Sequence, residues 1–164
     1  MTEIRLIAKD ELPLVREIVY RTWPDTYGAI LSAEQMEYML ETFHNLQYLE
    51  KSMENGHSFY ILQENDVPLG FLAIQPNAEL EALKIHKIYV LPESQGKRAG
   101  AKLIQKAREE AQKLGLKRLF LNVNRFNKAV SFYEAMGMTI LKEEDVDIGN
   151  GYLMEDFVMG MDVG

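Results

Sequence analysis

The chain has 164 residues, of which 47% are hydrophobic and 26% charged, and its 18 basic and 25 acidic side chains give a net charge of −7. This composition is typical of one globular domain with its own core rather than of a disordered chain. The absence of cysteine excludes a disulfide framework, a thiol nucleophile and cysteine-ligated metal sites, and we expect a reducing, cytoplasmic environment. We expect neither secretion nor membrane insertion, because no apolar run approaches the roughly 18 residues needed to cross a bilayer.

The first half of the chain is predicted to form a strand, a set of helices and a β-hairpin. Asp10 stands where a helix N-cap belongs, and the apolar residues after it recur at helical spacing until Trp23-Pro24 and Gly28 break the pattern. Ser32 opens a second helix through a capping box. The predicted elements are a strand over 3–7, a helix after residue 10, a second helix after residue 32, a short helix over 46–53, and hairpin strands over 59–62 and 67–74.

The second half is predicted to place a strand-helix-strand unit before a final hairpin. The elements are a strand over 80–91 ended by Pro92, a helix from about residue 100 stopped by Gly115, a strand over 116–123, a short helix over 129–136, and strands over 138–146 and 152–161 around the turn at 149–151. Parallel and antiparallel connections are both implied, so the sheet should be mixed. We therefore predict an α/β fold, α+β in a looser vocabulary, with residues 1–164 as a single domain.

Positive charge is concentrated in one segment of this acidic chain. Residues 97–128 hold ten basic side chains and only two acidic ones, Glu109 and Glu110, whereas residues 25–56 are acidic. A local basic segment suits a compact polyanion better than a nucleic acid, which usually needs a broad basic face. We therefore expect no nucleic-acid partner. The alternative for the helical lysines is an ordinary solvated helix face.

The segment between Pro92 and Ala101 joins a predicted strand to a predicted helix and has the properties of an anion-binding loop. The first turn of a helix leaves about four N–H groups without partners, and the helix dipole favours negative charge there. Gly96 and Gly100 would let the backbone approach a ligand, while Lys97 and Arg98 would screen its charge. The alternative is that the glycines serve only to turn the chain. The segment fits neither a Walker loop nor the dinucleotide fingerprint.

Two stretches of the chain carry a family pattern. The first is Val90-Leu91-Pro92-Glu93-x-Gln95-Gly96-Lys97-x-x-Gly100, and the second runs from Leu121 through Asn127, Phe132 and Tyr133 to Met138. They resemble the acetyl-CoA loop and the later strand-helix-strand segment of the GCN5-related N-acetyltransferase (GNAT) family. The resemblance implies a mixed, mostly antiparallel twisted sheet flanked by helices. Arg98 departs from the pattern, which has glycine there; an arginine fits if its φ is negative, and its guanidinium could then reach a phosphate.

The resemblance implies where acetyl-CoA, the expected co-substrate, would bind. The backbone of Ile88, Tyr89 and Val90 should run beside the pantetheine arm like an added strand. Asn127 should contact the cofactor, or it could instead be the N-cap of the following helix. The N–H groups expected to hold the pyrophosphate are those of Gln95, Gly96, Lys97, Arg98, Ala99, Gly100 and Ala101.

Acid and base roles follow from the same resemblance and from ordinary pKa values. A phenol with a pKa near 10 stays neutral and can donate to a departing thiolate, which makes Tyr133 the candidate general acid rather than one more core aromatic. The glutamate that many family members carry eleven residues before Gln95 is replaced here by Lys84. His86, two residues further on and so on the same strand face, is the candidate general base. The three histidines show no metal-ligand spacing, and no metal is expected.

The sequence specifies the amine acceptor less closely than it specifies the co-substrate or the fold. By resemblance, Trp23, Tyr27 and Tyr38 would form aromatic walls of the acceptor groove, although each could equally be a core or surface residue. The expected acceptor is a small amine, a polyamine, or a lysine or peptide amine. We thus predict an N-acetyltransferase acting by direct attack, with no covalent enzyme intermediate. The alternative is a non-catalytic acyl-CoA-binding regulatory module, and a homodimer is implied because relatives often pair.

Overall fold

The computed structural model describes all residues from Met1 to Gly164 and contains a single seven-stranded sheet. The strands are β1 (Thr2–Leu6), β2 (Ser58–Glu64), β3 (Val67–Asn77), β4 (Ala82–Val90), β5 (Arg118–Asn124), β6 (Thr139–Gly149) and β7 (Tyr152–Asp162). The helices are α1 (Leu12–Tyr27), α2 (Ala33–Phe43), α3 (Leu46–Glu54), α4 (Ala99–Lys113) and α5 (Ala129–Ala135). The predicted mixed α/β fold is confirmed. None of the helices has both the length and the apolar character to span a bilayer.

The sheet order is β1-β2-β3-β4-β5-β7-β6, and every neighbouring pair is antiparallel except β4 and β5. Helix α4 forms the crossover between these two parallel strands, as a strand-helix-strand unit requires. Its apolar stripe, which includes Leu103, Ile104 and Ala107, is fully buried against one sheet face. The helices α1 to α3 belong to a second core cluster, which buries Phe59 and Phe71 from the sheet.

Helix α1 ends at Gly28, one of the two predicted breaks, and passes through the other. Trp23-Pro24 lies inside the helix, which runs to Tyr27 with Gly28 as its C-cap. Pro24 cannot donate a backbone hydrogen bond, but its carbonyl still accepts one from Gly28 N at 3.0 Å. Trp23 and Tyr27 are 2% and 6% exposed, so burial of these two rings stabilises the last turn.

An irregularity in the pairing of β3 with β4 changes which side chains of β4 face each core. Ala73 pairs with Lys87 but Ile74 pairs with Ile85, so β4 has an extra residue at this point. Ile85, before the irregularity, and Ile88, after it, both contact the core cluster around α4. Tyr89 contacts the other core cluster, around α1 to α3. Because the extra residue interrupts the alternation, His86 and Lys87 follow one another on the same face of β4, and Tyr89 lies on that face as well.

The sheet opens between β4 and β5. Their parallel pairing covers only the first halves of the strands and ends at Ile85 and Leu121. Beyond that point β5 stays paired with β7 as far as Asn124 and Asp156, whereas residues 86–90 of β4 have no strand partner on the β5 side. The result is a wedge-shaped opening, which we call the β4–β5 opening, with one free strand edge. Helix α4 begins just beyond its β4 side.

Candidate active site

The loop between β4 and α4 holds a group of unused backbone donors. The N–H groups of Gln95 and Lys97 lie 3.3 and 3.4 Å from the carbonyls of Pro92 and Ser94. The other five expected donors make no hydrogen bond within the chain; they belong to Gly96, Arg98, Ala99, Gly100 and Ala101. Helix α4 has no side-chain N-cap either. Because these donors lie in and just before the first turn of a 15-residue helix, they form a site suited to a phosphate-bearing ligand.

Arg98 adopts the conformation that its side chain was expected to avoid. A negative φ was expected there, but Arg98 has φ 59° and ψ 25°, in the left-handed region. A residue with a Cβ pays roughly 1–2 kcal/mol in that region, which is why glycine is usual. Gly96, also in the loop, has φ 92°. The chain thus needs two left-handed residues to turn from β4 into α4, and the second is an arginine.

Two substitutions at Arg98 separate this backbone effect from the effect of the guanidinium. Arg98→Gly and Arg98→Ala both remove the charge, but only glycine relieves the left-handed conformation. Allowing for the extra freedom of glycine in the unfolded chain, we expect the Gly variant to be more stable by about 1 kcal/mol in urea unfolding. Equal stability of the two variants would mean that the loop relaxes to a different conformation in one of them.

The second loop glycine serves helix packing. A Cβ added at Gly100 would lie 2.9 Å from Cζ of Phe132 on α5. The space on the Cβ side of Gly100 is filled by this ring, while the approach of a ligand to its free N–H group stays a prediction. A Cβ at Gly96, by contrast, would meet no heavy atom within 4 Å. Gly96 is required for its positive φ, and its surroundings are open.

Three phenols lie together beside the β4–β5 opening. Tyr133 on α5, Tyr89 on β4 and Tyr27 on α1 come from different elements, yet Tyr27 lies close enough that its ionised form would raise the pKa of each of the other two. Burial is the main cause: it raises the pKa of Tyr27 to about 12 and lifts those of Tyr89 and Tyr133 well above the usual value. All three phenols are therefore neutral at pH 7. No hydrogen bond within the chain contributes to the pKa of the Tyr133 hydroxyl, which burial and Tyr27 alone influence.

The other residues expected at the acceptor groove have structural contacts. Trp23 is 2% exposed and packs 4.5 Å from Tyr27, centroid to centroid. The Tyr38 hydroxyl donates to Ile148 O at 2.8 Å and so ties α2 to β6. Of the three predicted aromatic walls, Tyr27 and Trp23 both lie beside Tyr89, with the Trp23 and Tyr89 ring centroids 6.2 Å apart, and Tyr27 alone also acts on Tyr133.

Asn127 was predicted either to contact the cofactor or to be the N-cap of the next helix; the N-cap of α5 is Lys128, and Asn127 lies one residue before it. Its Oδ1 accepts a hydrogen bond from Ala129 N at 2.9 Å, in the first turn of α5. Its side chain also lies close enough to Tyr27 to lower the pKa of that phenol. Asn127 thus fixes the start of the helix that carries Tyr133 at the edge of the phenol cluster.

His86 lies in an environment that makes it a weak base. Its Nε2 is 2.9 Å from Gln75 Oε1, and its ring stacks on that of His57 with centroids 4.1 Å apart. Burial, and then the nearby charges of His57, Lys84 and Lys87, lower the pKa of His86 to about 3. Such an imidazole is neutral at pH 7 but has little affinity for the proton of an alkylammonium.

Lys84 and Lys87 give this part of the β4 face a positive charge. Neither ammonium has a carboxylate within ion-pair distance; Lys84 Nζ lies over the ring of Phe120 at 5.9 Å and Lys87 Nζ over that of Tyr48 at 5.6 Å. Burial, with the charge of Lys84, lowers the pKa of Lys87 to about 8.

One carboxylate on the other side of the opening was not among the site residues predicted from the sequence. Asp156 lies on β7 directly opposite Asn124 of β5, and it is 7% exposed. The signal was present, because Met154, Asp156 and Val158 alternate along the strand and all three are buried. Following that alternation through the predicted strand would have placed a carboxylate on an inward face.

An open sheet edge that ends at free backbone donors, with neutral phenols beside it, has the architecture expected of an acyltransferase, and comparisons with known proteins agree with that class. The model of the acetyltransferase (GNAT) family matches residues 14–138, so the chain belongs to that family. The resemblance inferred from the sequence is thereby confirmed.

Relatives match the chain to different extents. An uncharacterized N-acetyltransferase of Methanocaldococcus jannaschii, MJ1207, is 34% identical over 113 residues, which cover 65% of this chain but only 47% of that protein, so the match spans about half of this relative. A spermidine N(1)-acetyltransferase of Thermoplasma acidophilum is 28% identical over 159 residues, 93% of this chain and 95% of the relative. The crystal structure of the PaiA N-acetyltransferase of the same organism, in complex with coenzyme A, has a TM-score of 0.82 at 25% identity and covers 99% of both chains.

Proposed function

We propose that this chain transfers an acetyl group from acetyl-CoA to a primary amine by direct attack of the amine on the thioester. The observation that carries the proposal is the presence of unused backbone groups at the end of β4 and again where the chain enters α4. They are the free edge of β4 at residues 88–90 and the five free donors of Gly96 and residues 98–101, with the Tyr133 cluster beside the same opening. The coenzyme A complex of the Thermoplasma structure supports the same ligand here.

These backbone groups fit the parts of coenzyme A. The free N–H groups of Gly96 and of residues 98–101 would hold the diphosphate. The backbone of Ile88, Tyr89 and Val90 would pair with the amide-bearing pantetheine arm as an added strand, while the side chains of Ile88 and Val90 stay packed against the core around α4. The bound co-substrate supplies the activated acetyl group as a thioester.

Tyr133 is proposed as the general acid. Its phenol has an ordinary pKa near 10, which burial raises further, so it is neutral at pH 7 and can donate a hydrogen bond, and then a proton, to the departing thiolate. An enzyme-bound acyl intermediate is not needed, because the chain has no cysteine and carries no recognisable serine triad.

A small amine or a polyamine is the acceptor that we propose first. The similarity to a spermidine N(1)-acetyltransferase supports this class. Lys84 and Lys87 oppose a long polycation, since it would have to lie beside two unpaired ammonium groups. A lysine or peptide amine is therefore the second acceptor class to test.

A cytoplasmic location and a homodimer remain predictions from the sequence. Light scattering after size exclusion would test the homodimer.

Calorimetry and thiol release together test the proposal. We expect coenzyme A to bind the wild-type chain, and free thiol to appear from acetyl-CoA with at least one of spermidine, a lysine peptide and simple alkylamines. Gly96→Asp should weaken coenzyme A binding at least tenfold, because it places a carboxylate beside the five free donors.

Gly115→Asp is the matched control. Gly115 also has a positive φ, 71°, and open surroundings, but it lies just beyond the other end of α4. The two variants carry similar backbone strain, so a difference in affinity reports on the loop. Equal affinities for the two variants would place the diphosphate elsewhere. Binding of coenzyme A without thiol release from any amine would instead favour the non-catalytic regulatory module.

A further inference from the structure

Asp156 is a buried carboxylate with one oxygen left free. Its Oδ2 accepts a hydrogen bond from Asn122 Nδ2 at 3.2 Å, whereas its Oδ1 is buried and has no partner. No lysine, arginine or histidine nitrogen lies within 4.0 Å of the carboxylate. Buried charges in proteins are nearly always paired and fully hydrogen-bonded, because an unpaired one costs several kcal/mol.

The charged groups around Asp156 do not supply its Oδ1 with an ion pair or a hydrogen bond. Arg125, just after β5, donates its Nε to the backbone carbonyl of Asp156 and makes its ion pair with Asp145 on exposed β6 instead. Glu144, on β6, is a second carboxylate and accepts from the same Asn122 amide at 2.9 Å.

Two further titratable groups face Asp156 from the elements across the opening. Tyr27 of α1 is close enough for the carboxylate to raise the pKa of its phenol, and Lys84 of β4 acts on Asp156 only at longer range. Burial, the largest influence, raises the pKa of Asp156.

The free Oδ1 of Asp156 belongs to a residue at the opening where the reaction is proposed to occur. It lies at the β5–β7 side of the opening, where Asn124 is its strand partner, and Tyr27 connects it to Tyr89 and Tyr133. The acceptor must bring an ammonium group to the same opening. An alkylammonium has a pKa near 10.4, so it arrives protonated and needs both a counter-charge and a proton acceptor.

We propose that Asp156 binds the ammonium group of the acceptor through its free Oδ1 and takes the proton that makes the amine nucleophilic. This inference rests on the proposed function. The proton moves from nitrogen to the Asp156 carboxylate, and the nitrogen lone pair forms the N–C bond to the acetyl carbonyl carbon. The C–S bond breaks, the thiolate sulfur takes the Tyr133 proton, and the phenolate takes the second proton of the nitrogen. Asp156 then releases its proton to water.

Asp156→Asn tests the assignment, because it keeps the size of the side chain and an oxygen for the Asn122 amide. We expect kcat/KM for the amine to fall at least 100-fold at pH 7, while the affinity for coenzyme A stays within threefold of wild type. The loss should shrink for an acceptor whose own pKa lies below 7, since such an amine is already deprotonated. Saturating alkylamine should raise the melting temperature of the wild type but not of the variant.

Stability and pH dependence distinguish this role from a structural one. A carboxyl whose pKa is raised on folding destabilises the fold at pH values above that pKa, so Asp156→Asn should melt no lower than wild type at pH 7. With an alkylamine, the wild-type kcat/KM should rise with pH as Asp156 ionises, whereas the variant should follow only the fraction of unprotonated amine, whose pKa is near 10.4. Glu144→Gln is the control: it shares the Asn122 contact and should keep kcat/KM within threefold.

The outcomes separate the two proposals. Wild-type turnover combined with unchanged kcat/KM in Asp156→Asn would overturn the Asp156 assignment alone. A variant with equal losses for protonated and unprotonated acceptors would also overturn it. Absence of thiol release from the wild type with every amine would overturn the proposed function, and this inference with it.

Discussion

Replacing Tyr133 by phenylalanine is expected to lower kcat for acetyl transfer by about 10²-fold to 10⁴-fold, the usual contribution of a general acid. The phenol is neutral at pH 7 and no hydrogen bond within the chain contributes to its pKa, so we expect its removal to break no internal hydrogen bond. The thiolate would then leave without a donor. Because only the leaving group is affected, KM for the amine and the affinity for coenzyme A should change little. Steady-state thiol release measures both constants.

Tyr60→Phe provides the matched control for this experiment. Tyr60 is as buried as Tyr133, at 7% against 6% exposed, and belongs to the same core cluster. Its hydroxyl, however, donates to Glu110 Oε1 at 3.2 Å on α4, away from the opening. Tyr60→Phe should lose about 1 kcal/mol of stability and keep its kcat. If Tyr133→Phe turned over as fast as this control, another group would have to protonate the thiolate.

Much of the fold could be predicted from local sequence because its signals are local. Ser32 caps α2 by accepting from Gln35 N at 3.0 Å, as the capping box predicts. Gly149 and Gly151 both have positive φ at the turn between β6 and β7, as the hairpin prediction requires. The continuation of α1 through Trp23-Pro24 was not predictable in this way, because the turn after Pro24 depends on burial of Trp23 and Tyr27 against distant residues.

The features of the candidate site also differ in whether the local sequence predicts them. The loop donors follow from a strand, a glycine and a helix start that are adjacent in the chain. The environments of His86 and Asp156 do not, because each depends on strands brought together by the sheet. The extra residue in β4 near His86 and the end of the β4–β5 pairing at Ile85 carry no local signal. Pairs of distant residues, such as Asp156 and Tyr27, therefore had to be seen in three dimensions.

Gly70→Ala is expected to be the most destabilising of the small substitutions near the site. Gly70 pairs with Val90, at the end of β4 where the pantetheine arm is proposed to bind. An added Cβ would lie 2.5 Å from Tyr89 O and 3.1 Å from Val90 Cα, and both are backbone atoms that cannot rotate away. We expect a loss of about 1–3 kcal/mol in urea unfolding, and weaker binding of coenzyme A because β4 must move.

Gly100→Ala tests whether a clash of the new methyl group with backbone atoms costs more stability than a clash with a side chain. Its Cβ would also be too close to a neighbour, at 2.9 Å, but that neighbour is the far end of the Phe132 ring, which can shift. Alanine is also the better helix former by about 1 kcal/mol in the first turn of α4. Gly100→Ala should therefore change the free energy of unfolding by less than about 1 kcal/mol. Equal losses at the two sites would show that the β3–β4 pair yields as easily as an aromatic side chain, and that the β4 edge is not the rigid support that the proposed cofactor contact needs.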